Sequence, residues 1–97
     1  MLLDIEIKFS NRTAYKKLEY PNQNQVEIKF NKVDDPISVE SITVNGIDAN
    51  IYYNTSYRFL NSKVTQESVH RIDKPGVYTL TIDDLYIRSL RSSTWHC

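Results

Sequence analysis

The closing stretch of the chain, RIDKPGVYTLTIDDLYIRSLRSSTWHC from Arg71 to Cys97, gathers two adjacent carboxylates, several arginines, a histidine, the single Trp and the single Cys. These residue types serve acid/base catalysis, nucleophilic attack and metal binding, so their spacing decides which chemistry is open to them. Asp83-Asp84, and likewise Asp34-Asp35, could share a proton or ligate a hard cation. Both pairs fall between strand-like runs, where Asp favours turns, and neither sits in a glycine-containing calcium loop. His70 with Asp73, or His96 with Cys97, would pair a base with a partner. Neighbours on a strand point to opposite faces, however, the last residues of a chain are commonly the least ordered, and no third, orienting group is identifiable. One Cys and two His do not supply a zinc set at recognised spacing, and there is no Gly-rich phosphate loop, no G-x-S-x-G and no H-E-x-x-H. The chain is expected to be no enzyme, with no catalytic residue, no cofactor and no metal.

The bulk properties bound the remaining classes. With 97 residues, 40% hydrophobic and 25% charged, one globular core and no second domain are expected. A net charge of zero offers no footprint for nucleic acid or an anionic membrane. The start, MLLDIEIKFSN, lacks a basic leader and an unbroken apolar run, since Asp4 and Glu6 interrupt it, and no stretch approaches the length of a membrane span. The expected location is a virion or the cytoplasm. A single Cys excludes an internal disulfide, and Cys97 reads as incidental or as a thiol pairing between chains. The two N-x-[ST] triplets, at Asn11 and Asn54, are expected by chance in so Asn-rich a chain and are set aside.

Elements follow from periodicity. Met1, Leu3, Ile5, Ile7 and Phe9 alternate with polar residues, as do Val26, Ile28 and Phe30, so both runs predict half-buried strands. Ala14 to Tyr20 is an irregular edge strand or a single helical turn. In ITVNGIDANIYY, Asn45-Gly46 predicts a type I′ hairpin with Val44 opposite Ile47 and Ile42 opposite Ala49, placing Ile51 and Tyr53 on the same inner face. Continuing that ladder backwards would bury Ser38 and Glu40 and expose Ile37 and Val39. A β-bulge near Glu40-Ser41 restores the parity and is predicted. If Asp83-Asp84 is likewise a hairpin loop, Tyr78, Leu80, Ile82, Leu85 and Ile87 face inward and Tyr86 and Arg88 outward. Tyr57 to Leu60 and Val64 to Ile72 supply one or two further strands. The fold class is all-β: a single antiparallel β-sandwich of about seven or eight short strands spanning residues 1–91, followed by a tail at 92–97.

The run PGVYTLTI resembles the strand before the last in immunoglobulin-like domains, with Gly76, Tyr78 and Leu80 in the places of the small residue, the Tyr and the inward core position. The resemblance implies an immunoglobulin-like sandwich and a tyrosine corner, the Tyr78 hydroxyl bonding to backbone near Arg71 to Lys74; the alternative is a plain buried strand Tyr. The Cys pair is missing and Trp95 lies at the chain end, so the likeness reaches the superfold and no family, and by itself it licenses no activity.

Surface chemistry then favours binding. Seven Tyr exceed three Phe and one Trp, and the derived register turns Tyr52, Tyr86 and Arg88 outward. Tyr and Arg are enriched in interface hot spots, while scattered surface tyrosines are also normal on strands. Trp95 would be an apolar liability on a free tail, so it docks on its own domain or on a neighbour. The expected interface residues are therefore Tyr52, Tyr86, Arg88 and Trp95. The expected role is a non-enzymatic structural or assembly subunit acting through protein–protein contacts with itself or neighbouring subunits, with a virus or phage particle component as the leading reading. The alternative is a carbohydrate- or protein-ligand-binding module, including a small inhibitor of a host protein.

Overall fold

The computed structural model describes the backbone of residues 1–94 and the side chains of residues 1–90. Strand β1 (Leu2–Phe9) buries Leu3, Ile5, Ile7 and Phe9 and turns Asp4 and Lys8 outward. It pairs with β2 (Thr13–Glu19), the segment with mixed periodicity, which is an edge strand running antiparallel from Lys8↔Thr13 to Leu2↔Glu19. Next come β3 (Gln25–Phe30), β4 (Ile37–Val44) and the two-residue β5 (Ile47–Asp48). A single 3-10 turn at Tyr52–Asn54 leads into β6 (Thr55–Phe59), and β7 (Thr65–Glu67), β8 (Arg71–Ile72), β9 (Gly76–Thr81) and helix α1 (Asp84–Thr94) complete the order.

The strands form two antiparallel sheets. One has the order β2-β1-β4-β5, with β8 also on β4; the other is β3-β9-β6-β7. This is the expected all-β sandwich, with nine strands among the described residues in place of about seven or eight, three of them (β5, β7 and β8) only two or three residues long. The core between the sheets is sealed by an aromatic chain in which Phe9 meets Phe30 and Tyr78 edge-on at 5.2 and 5.4 Å, and Tyr57 meets Phe59 at 5.5 Å. Such edge-to-face pairs each add about 0.5–1.5 kcal/mol beyond area burial.

The Asn45-Gly46 hairpin forms as its turn chemistry demands, with φ of 53° and 79° at the two central residues and Val44 paired with Ile47. Strand β4 carries the predicted bulge. Lys8 pairs with Ser41 and Phe9 with Val39, so Glu40 is the extra residue. By taking up one position, the bulge lets Ile37, Val39, Ile42 and Val44 all face the core.

The tyrosine corner expected of Tyr78 does not form, and the backbone near Lys74 is bonded by another tyrosine instead. Tyr57, directly opposite Tyr78 in the β6–β9 pair, donates its hydroxyl hydrogen to the Lys74 carbonyl. The Tyr78 hydroxyl is fully buried and has no hydrogen-bond partner among the described residues. Tyr78 is buried in the core with its ring against Phe9, and β9 is the last strand among the described residues. Gly76 explains how Tyr57 comes so close. A Cβ there would lie 2.6 Å from Tyr57 Cε2 and 2.8 Å from its Cζ, and would collide with the Arg58 carbonyl oxygen.

The hairpin expected at Asp83-Asp84 is a helix start. Asp83 Oδ1 accepts the Tyr86 N–H at 2.7 Å, the bond an N-cap makes to the third helical residue. Asp84 in the first turn favours the positive end of the helix dipole and pairs with Arg88 Nε at 3.0 Å, one turn along. Helical spacing buries Tyr86 and Ile87, packs Leu90 against the core and leaves Leu85 exposed. The strand register had Leu85 inward and Tyr86 outward, and both orientations are reversed. Helix α1 runs through the boundary expected between residues 91 and 92.

Candidate interaction surface

Where β9 ends, the cap joins α1 to the segment that follows β5. Asp83 uses its second oxygen, Oδ2, to accept a hydrogen bond from Asn54 Nδ2 at 2.9 Å. The Thr55 hydroxyl closes the same corner by donating to the Tyr52 carbonyl at 2.6 Å while accepting the Val69 N–H at 2.8 Å. The segment from Ile47 to Tyr53 and the outward side of α1 thus stand as two walls of an open groove of about 530 Å³.

Apolar residues dominate its rim. Ile47, Tyr53 and Leu85 are 45%, 56% and 70% exposed, and all three line the groove. The buried Ala49, Ile51 and Tyr86 form its base, and Asp48, Asn50 and Arg88 add polar groups. The Tyr86 hydroxyl is buried with no hydrogen-bond partner among the described residues, and its pKa is raised, first by burial and then by the nearby Tyr53. Exposed apolar side chains and a few polar groups thus gather at one groove.

The expected interface residues do not form one face. Tyr86 and Arg88 line the groove, with Tyr86 at its base. Tyr52 is half-buried on the other side of residues 48–50, where its ring stacks on His70 at a centroid distance of 4.6 Å and its hydroxyl reaches the Glu40 carbonyl at 3.5 Å. Trp95, like His96 and Cys97, lies outside the described residues. His70 does not meet Asp73, whose carboxylate instead pairs with Arg71 Nε at 2.8 Å.

Sequence reasoning missed Ile47, Tyr53 and Leu85 as surface residues, because strand alternation assigned each of them inward. Tyr53 escapes that alternation because the chain after Asp48 turns into a 3-10 coil. Asp34 and Asp35 lie exposed between β3 and β4, with Asp34 3.8 Å from Lys32 Nζ. No cluster of three or more His, Cys, Asp or Glu suited to a metal exists among the described residues. Among the described residues no helix is long and apolar enough to cross a membrane. Comparison with known protein families, with curated proteins and with solved structures gives no match.

Proposed function

We propose that this chain is a non-enzymatic β-sandwich that works by protein–protein contact through the groove between residues 47–53 and α1, as a repeated subunit of a larger assembly. The observation that carries this reading is the clustering of exposed Ile47, Tyr53 and Leu85 around one groove. Leaving such side chains in water forgoes about 25 cal/mol per Å² of apolar surface, a cost that a partner surface removes. Arg88 and Asp48 at the edge supply register and solubility. A virus or phage particle is the kind of assembly proposed, and kinship with immunoglobulin-like modules belongs to the same proposal. Size-exclusion chromatography with light scattering, from micromolar to millimolar chain, is the test. Assembly that grows with concentration and is lost in Leu85→Glu, with the circular dichroism spectrum unchanged, supports the reading. A monomer at every concentration, with Leu85→Glu indistinguishable from the parent, overturns it.

A further inference from the structure

A second surface, apart from the α1 groove, lies where the sandwich opens between the edges of its two sheets. Strands β2 and β3 are both edge strands, one in each sheet. The bonds Phe9 N–H to Arg12 carbonyl and Tyr20 N–H to Met1 carbonyl, both 2.8 Å, fix the phase of the β1–β2 ladder. In an antiparallel pair these bonds alternate, so Ala14, Lys16 and Leu18 bond to β1 while the backbone groups of Thr13, Tyr15, Lys17 and Glu19 point away. The 2.8 Å bond from the Ile82 N–H to the Asn24 carbonyl sets the other ladder in the same way. Val26, Ile28 and Phe30 bond to β9, and the backbone groups of Gln25, Glu27 and Lys29 point outward. A cleft of about 330 Å³ runs between the two edges, bounded by residues 12–16 on one side and 27–29 on the other.

The two edges are not equivalent. On β3 the inward row is Val26, Ile28 and Phe30, all buried. On β2 the inward row is Ala14, Lys16 and Leu18, and Lys16, opposite Ile5, is exposed. A charge at an inward edge position opposes addition of an apolar strand or of a second copy carrying the same charge. Arg12 sits over the Phe30 ring at 4.5 Å and donates to the Lys29 carbonyl at 3.4 Å, a bond that uses one of its five N–H donors. Arg12, Lys16 and Lys29 against Glu27 leave this cleft at +2 (three cations less one carboxylate) in a chain whose net charge is zero.

We propose that the β3 edge takes an extended acidic segment of a partner protein as an added strand, its backbone pairing with Glu27 and Lys29 and its carboxylates meeting Lys16 and Arg12. Backbone pairing supplies affinity, and the cations select the acidic side chains. Lys16 has two effects here: it repels a second β2 edge and attracts a carboxylate.

The probe is a short capped peptide alternating valine and glutamate, compared with its valine–lysine counterpart, titrated into the isotopically labelled full chain and followed by amide NMR shifts. The expected result is saturable shifts at Gln25, Glu27 and Lys29 with the acidic peptide alone, weakened by salt and weakened roughly tenfold or more by Lys16→Glu through like-charge repulsion. Glu27→Pro removes an outward N–H while leaving the β3–β9 bonds in place, so it abolishes binding in a folded chain. If proline unfolds the strand, Arg12→Glu reports the same loss from outside the ladder. Shifts centred elsewhere, equal binding of the lysine peptide, or no shift at millimolar peptide overturns the proposal. Leu85→Glu leaves this binding unchanged, so the two surfaces fail separately.

Discussion

Replacing Gly76 by Ala tests a close approach between β9 and β6. The new methyl would stand 2.6 Å from Tyr57 Cε2 and collide with the Arg58 carbonyl oxygen. Both belong to β6, which is paired with β9 across five positions, so neither can yield without moving the sheet. Overpacking of this kind costs typically about 1–3 kcal/mol and sometimes more. Displacing the Tyr57 ring also breaks its bond to the Lys74 carbonyl, a further loss of about 1 kcal/mol. The lower entropy of the unfolded alanine chain returns about 0.4–1 kcal/mol. Contact wins over entropy, and a net destabilisation of about 1–3.6 kcal/mol is expected against a total of roughly 5–15 kcal/mol for a domain of this size. Gly46→Ala is the control, because nothing lies within 4 Å of its Cβ and its φ of +79° is its only liability; it should cost about 1–2 kcal/mol. Urea denaturation of the three proteins, with Tyr57→Phe added to separate the hydroxyl from the clash, measures each part. If Gly76→Ala falls within about 0.5 kcal/mol of the parent, the range expected of an inert surface change, the packing argument at this crossing is wrong.

Three further outcomes are expected. Tyr78→Phe should be neutral or stabilising by up to about 1 kcal/mol, because it removes a buried hydroxyl with no partner among the described residues; a clear loss in urea titration would reveal a bond to that oxygen. Asp83→Ala should cost about 1–2 kcal/mol and part of the helical circular dichroism signal, since it removes the α1 cap together with the Asn54 bond; an unchanged spectrum and midpoint would refute the cap. Burial raises the pKa of Tyr57 to about 12, raises that of Tyr78 further, and raises that of Tyr86. The unfolded chain, with tyrosines near 10, therefore loses its protons first, and stability should be level below about pH 10 and fall between about pH 10 and 12, by up to about 1.4 kcal/mol per pH unit for each tyrosine. Equal urea midpoints at about pH 9 and pH 11 would contradict it.

Much of the sandwich was legible because one face of each long strand is buried, so alternation carries the information. Glu40 shows how far this goes: the inward demands of Val39 and Ile42 cannot both be met in an unbroken strand, and the bulge follows. The final segment misled because LYI, in Leu85–Ile87, fits a period of two as well as a helix. The signals for helix were the pairing of Asp84 with Arg88 at i,i+4, the Tyr86, Ile87 and Leu90 spacing, and an Asp able to cap ahead of them. Asp83 reads from sequence as a turn residue and is a helix cap, because the short polar side chain that suits Asp to turns also suits it to helix starts. The candidate groove was illegible for the same reason, since one wall is α1 and the other is the irregular chain after β5. The cleft between β2 and β3 depends on which sheet each edge joins, and that is set by the distant partners β1 and β9.

The two oxygens of Asp83 have a mechanical consequence. One holds the first turn of α1 and the other holds Asn54, so the two walls of the groove share a single carboxylate as their clasp. Moving the segment at Asn54 away from α1 costs a bond made by the same carboxylate that caps the helix, so the first turn of α1 is tied to the width of the groove. Its edges should exchange amide hydrogens together, Asn54 with Tyr86, as one cooperative unit and not as a loop beside a helix.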